Sequence, residues 1–74
     1  MFERITIDPD IMMGKPVIAG TRIPVYLILD LLAEGKNFNE IINTYPDLQK
    51  EDIEAALYYA GRLAKYEEEL LVTK

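Results

Sequence analysis

Apolar and polar positions change period along the chain, and each change marks an element. Arg4-Ile5-Thr6-Ile7-Asp8 alternates and is rich in β-branched residues, which predicts a short strand that Pro9 ends. Asp10 to Lys15 read as a loop in which Gly14 can take a positive φ. Pro16-Val17-Ile18-Ala19-Gly20 predicts a second short strand, so the two can pair as a hairpin. An isolated hairpin is marginal in water, so this one must pack on helices or pair with a second chain.

The period then lengthens. Pro24 suits the first turn of a helix, where its missing N–H costs nothing. The helix runs through Val25 to Glu34, and Gly35 supplies a left-handed C-terminal cap. Val25, Ile28, Leu29 and Leu32 mark one face and Leu27 and Leu31 another, leaving Asp30 and Glu34 as the plainly polar positions. A helix apolar nearly all round is buried on more than one side, so part of this surface is expected against a second subunit. Asn37 and Glu40 form a capping box for a short helix from Phe38 to Thr44, with Phe38, Ile41 and Ile42 inward, and Pro46 halts it. After the turn Asp47-Leu48-Gln49, a long helix runs from about Lys50 to Leu71. Its expected inward stripe is Ile53, Ala56, Leu57, Ala60 and Ala64, with Leu63 beside it. Gly61 costs that helix about 1 kcal/mol, which points to close packing or a bend. Glu67-Glu68-Glu69 oppose the dipole near its C-terminus and predict fraying after Tyr66.

These elements predict a mainly α fold: three helices of helix-turn-helix outline preceded by a β-hairpin. They form one domain over residues 1–74, with a hairpin arm over 1–22 and a trihelical core over 23–74. At 74 residues a domain has a thin stability margin, usually recovered by disulfides, a metal or a partner chain. The chain has no Cys and no His. Disulfides and Cys/His zinc sites are therefore excluded, as is thiol or imidazole chemistry, so no cofactor is expected and no enzymatic role. Oligomerisation remains as the stabilising device, and a homodimer is expected. Ile18, Val25, Leu27 and Leu31 are its candidate interface. Met1 to Arg4 show no basic and apolar leader, and the apolar run from Ile23 to Leu32 is too short to span a bilayer. A cytoplasmic protein without membrane contact is the expectation.

The net charge of −5 is unevenly placed. Acids and bases cancel over residues 1–25, whereas residues 26–74 carry ten acids and five bases. An acidic body argues against strong non-specific nucleic-acid binding, since phosphate neutralisation supplies most of that affinity. A local basic edge can still act, and Lys15 and Arg22 near the hairpin form a small cationic patch for phosphate or an acidic protein site. Arg22, held between Gly20 and Pro24, stands out, while Arg4 reads as a solvated strand charge. At the start of the long helix Gln49 and Lys50 could face base edges, but Glu51, Asp52 and Glu54 stand beside them. Tyr58, Tyr59 and Tyr66 read as packing residues with wet hydroxyls rather than a base-stacking platform.

Several runs carry a resemblance. Ile5-Thr6-Ile7-Asp8-Pro9, Gly14-Lys15-Pro16-Val17-Ile18-Ala19-Gly20-Thr21-Arg22-Ile23-Pro24-Val25, Tyr45-Pro46-Asp47-Leu48 and Glu51-Asp52-Ile53 together resemble domain of unknown function family 433 over nearly the whole chain. The resemblance implies a homeodomain-like trihelical fold. It also implies an antitoxin of a toxin–antitoxin pair, encoded beside a PIN-like nuclease, with no catalytic residues to carry over. Met13 departs from the family, standing where many members have a second Gly before Lys15. Gln49 departs too, standing where a Ser or Thr caps the last helix, which predicts a helix start weaker by about 1 kcal/mol.

Three functions follow as expectations. The first is an antitoxin-like protein that covers a nuclease and regulates its own promoter, contacting its partners through Lys15, Thr21, Arg22, Gln49 and Lys50. The second is a dimeric DNA-binding regulator, and the third a structural dimerisation module. No small-molecule substrate is expected for any of them.

Overall fold

The computed structural model describes the backbone of residues 2–72 and side chains over residues 3–70. Met1, Thr73 and Lys74, at the ends of the expected domain, lie outside the described residues. A single helical turn at Phe2–Arg4 leads into β1 (Ile5–Thr6), followed by β2 (Val17–Ile18), α1 (Val25–Ala33), α2 (Phe38–Thr44) and α3 (Lys50–Val72). The two strands pair antiparallel with Ile5 opposite Ile18 and Thr6 opposite Val17, and Val17 makes a further antiparallel bridge to Pro24. The fold is thus the expected trihelical domain with an N-terminal hairpin.

The local signals place the helix ends as read. At α1 the Gly35 N–H donates to the Leu32 carbonyl and the Lys36 N–H to that of Leu31, both at 3.0 Å, with Gly35 at φ +95°. This is a Schellman motif, and only a residue without a Cβ adopts that φ cheaply. At α2 the Glu40 N–H donates to Asn37 Oδ1 at 2.8 Å and the Asn37 N–H to Glu40 Oε1 at 2.9 Å, closing the capping box. At α3 the Gln49 carbonyl accepts the first intrahelical bonds, from Asp52 and Ile53. The Gln49 N–H donates to Asp52 Oδ2 at 2.8 Å, so the acidic half of a capping box supports this helix start.

The core is Ile18, Val25, Ile28, Ile41, Leu48, Ile53 and Ala56, with Ile5, Ile23, Leu29, Leu32, Phe38 and Tyr59 among the side chains packed around it. The hairpin is therefore part of the core and not an arm standing apart from it. Leu48 is a buried plug between α2 and α3.

Three readings of α3 need correction. Leu57 and Ala64, expected on the inward stripe, and Leu63, expected beside it, are exposed, while Ala55 is buried beside Ala56. Beyond Ala60 every described side chain is exposed, because α3 extends past the body formed by the hairpin, α1 and α2. Gly61 is not at a close approach: a Cβ placed there meets nothing within 4 Å. The helix continues past the three glutamates to Val72.

Candidate functional site

The residues from Pro16 to Val25 form a tightly bonded corner. Gly20 turns the chain at φ +78°. The Thr21 N–H and hydroxyl both donate to the Ile18 carbonyl, at 3.0 and 2.8 Å, and Thr21 Oγ1 accepts from the Ile23 N–H at 3.0 Å. The Ile18 N–H closes the loop on the Ile23 carbonyl at 2.9 Å, and the Val25 N–H donates to that of Pro16 at 2.9 Å. Arg22 is exposed at the tip of this corner. A guanidinium on such a base loses little backbone entropy when it meets an anionic group. Thr21, singled out for partner contact, instead has its hydroxyl engaged by the turn. That hydroxyl braces the turn on which Arg22 stands.

Lys15 leaves the same corner on the other side, with its ammonium 5.1 Å from the centroid of the Tyr26 ring. That is cation–π range, and it ties the lysine to α1. The backbone before it is unusual: Met12, Met13 and Gly14 have φ of 51°, 56° and 83°. A left-handed conformation costs a residue with a Cβ roughly 1–2 kcal/mol. Met13 thus occupies a position suited to glycine.

The start of α3 lies across a network from that corner. The Arg4 carbonyl accepts from the Ala19 N–H at 2.8 Å, and the Arg4 guanidinium donates to Asp52 Oδ1 at 2.9 Å. Arg4 is therefore no bare strand charge. It joins the hairpin to the carboxylate that caps α3. The cleft beside this pair, about 280 Å³, is lined by Glu3, Arg4, Glu51, Glu54 and Ala55. Gln49 and Lys50 are exposed as a base-reading helix start requires, but Glu51 and Asp52 follow them directly and Asp52 accepts the Gln49 N–H. Among the described residues no group of three or more carboxylate, His or Cys side chains is arranged to hold a metal.

The expected dimer residues divide. Ile18 and Val25 are 1% and 3% exposed, so they belong to the chain's own core. Sequence does not distinguish the two cases, because a β-strand residue and a helix-start residue look alike whether the face beneath them is intramolecular or not. Leu27 and Leu31 are half-buried, with Leu31 packed on the core cluster. Val25 and Ile28 of α1 share one core with Ile18, Ile41, Ile53 and Ala56, and Leu29, Leu31 and Leu32 pack against it, which accounts for much of the apolarity of α1.

One surface escaped the sequence reading. Pro16, Val25, Tyr26 and Leu29 face Tyr59, Ala60 and Leu63 across an open groove of about 420 Å³, with Lys15 at its rim. The signal was present in the i, i+3 and i, i+4 pairs Tyr26–Leu29 and Tyr59–Leu63, but not which helix would stop short of covering which.

The family described as protein of unknown function (DUF433) matches residues 5–60. The chain belongs to the DUF433 family. The matched stretch holds the hairpin, the Arg22 corner, α1, α2 and the packed part of α3, and the exposed end of α3 lies beyond it. The uncharacterized protein y4eO of Sinorhizobium fredii is 40% identical over 58 residues, which are 78% of this chain and 26% of that protein. An uncharacterized protein of Archaeoglobus fulgidus is 65% identical over 23 residues, 31% of this chain and 64% of its own length. The chain thus spans about a quarter of the first relative and under two thirds of the second. The crystal structure of a DUF433 member from Anabaena variabilis superposes with a TM-score of 0.78 at 29% identity, covering 93% of this chain and 68% of that one. Among the described residues no helix is long and apolar enough to cross a membrane.

Proposed function

We infer that this DUF433 chain is a non-catalytic binding protein, an antitoxin-like partner that neutralises a PIN-like nuclease by direct contact. The observation that carries this reading is Arg22, exposed on a corner held by its own hydrogen bonds. A nuclease that holds Mg²⁺ with clustered carboxylates presents the group a guanidinium binds best, through paired charge-assisted hydrogen bonds. Arg22 inserted among those carboxylates would displace the metal, and Lys15 would add a second charge at the rim of the contact.

A DNA-reading role is the weaker alternative. The α2–turn–α3 outline favours it, but the helix that would enter the groove begins among Glu3, Glu51 and Glu54, which repel phosphate. Control of its own promoter would then depend on the complex with the nuclease and not on this chain alone.

Co-purification of the chain with a PIN-like nuclease from the same genome, followed by calorimetric titration, tests the proposal. A complex that weakens at least tenfold with Arg22→Glu, and nuclease activity that returns with the same variant, is the expected result. No association at micromolar concentration, or an affinity indifferent to Arg22, overturns it.

A further inference from the structure

The exposed part of α3 carries a self-complementary seam. Ala56, Tyr59, Leu63, Tyr66 and Leu70 are spaced by alternating steps of three and four residues, the a/d repeat of a coiled coil. Ala56 is buried under the chain's own body, whereas Leu63, Tyr66 and Leu70 are 49%, 61% and 51% exposed. Charged side chains flank the seam: Arg62 and Glu69 fall at equivalent g positions one heptad apart, and Glu67 lies on the other side.

We propose that this seam pairs two copies of the chain through antiparallel α3 helices. Direction follows from where the body sits. In a parallel pair the two bodies would meet on the seam side at Tyr59, and the helices would have to diverge there. In an antiparallel pair the bodies lie at opposite ends. Leu63 of each copy then faces Tyr66 of the other, and Leu70 of each copy reaches Tyr59 at the mouth of the groove between α1 and α3. Arg62 of one copy stands near Glu69 of the second, and antiparallel coiled coils bring such g positions together with opposite charge. The groove has an occupant of matching chemistry: its walls are apolar apart from Lys15, and the arriving helix end offers a leucine. The paired length from Tyr59 to Leu70 is about 17 Å at 1.5 Å per residue, so the dimer is weak and reversible.

This pairing is independent of the nuclease reading, and its test uses the chain alone. Sedimentation velocity from low to high micromolar concentration should show a monomer–dimer equilibrium. Leu63→Glu with Leu70→Glu should abolish the dimer while circular dichroism and melting stay those of the folded monomer, since both side chains are exposed. Leu57→Glu, off the seam, should leave the dimer intact. Because the chain has no cysteine, a spin label on Lys50→Cys reports direction. Antiparallel pairing sets the two labels about 45 Å apart along the axis, and parallel pairing brings them within about 25 Å. A monomer throughout, a dimer insensitive to the double substitution, or the short label distance each overturns the proposal.

Discussion

The Arg4 guanidinium donates to Asp52 Oδ1 at 2.9 Å while Asp52 Oδ2 accepts the Gln49 N–H at 2.8 Å. One carboxylate thus clamps the N-terminal hairpin and supports the start of α3 at once. The pair is asymmetric in burial, with side-chain exposures of 40% for Arg4 and 8% for Asp52. Solvent around the partly exposed arginine screens the ion pair and limits its worth, whereas the carboxylate depends on its donors.

Asp52→Ala should therefore destabilise the fold by about 2 kcal/mol, from the lost half-cap and the lost charge-assisted bonds. Arg4→Ala should cost about 1 kcal/mol, because Gln49 still serves the carboxylate and the arginine is partly solvated. Urea denaturation of both singles and the double checks this. Additive effects would show that the two side chains do not interact.

Met13→Gly should raise stability by about 0.5–1 kcal/mol. The position has φ +56° and its side chain is 93% exposed, so strain is relieved and no packing is lost, with glycine's extra unfolded-state entropy subtracting part of the gain. Met13→Ala keeps the Cβ and should change little. Thermal melts that place the alanine and glycine variants together would contradict this account.

Thr21→Val should lose about 1–2 kcal/mol, since the hydroxyl both donates to Ile18 and accepts from Ile23. Thr21→Ser should retain most of that. The same pair separates a turn-holding role from direct partner contact: if serine keeps stability but loses nuclease binding, the methyl group touches the partner.

Gly61→Ala should stabilise α3 by about 1 kcal/mol, because the position is helical and a Cβ there meets open space. It lies off the α3 seam, so the dimer should survive. A lower melting temperature would instead place Gly61 against another chain.

Much of the fold was legible because its signals are local. The Asn37–Glu40 box, the Gly35 cap, the Pro46 stop and the alternating strand around Ile5 each act within four or five residues. The backbone groups they satisfy belong to the same segment, so no distant contact was needed to read them. The Arg22 corner was legible for the same reason, being bracketed by Gly20 and Pro24.

What the chain order could not reveal is which faces meet. Arg4 and Asp52 are 48 positions apart, and nothing near either marks the other. Ile18 and Val25 went to the core, and Leu63 to the surface, because burial depends on where the hairpin and α1 end against α3. By itself, then, the sequence determined the elements, their caps and the exposed arginine, all governed by short-range backbone hydrogen bonding. Only the tertiary structure decided the clamp at Asp52, the groove beside Tyr59 and the uncovered seam of α3. Each depends on how far one packed element extends past another, a relation that no window of the chain contains.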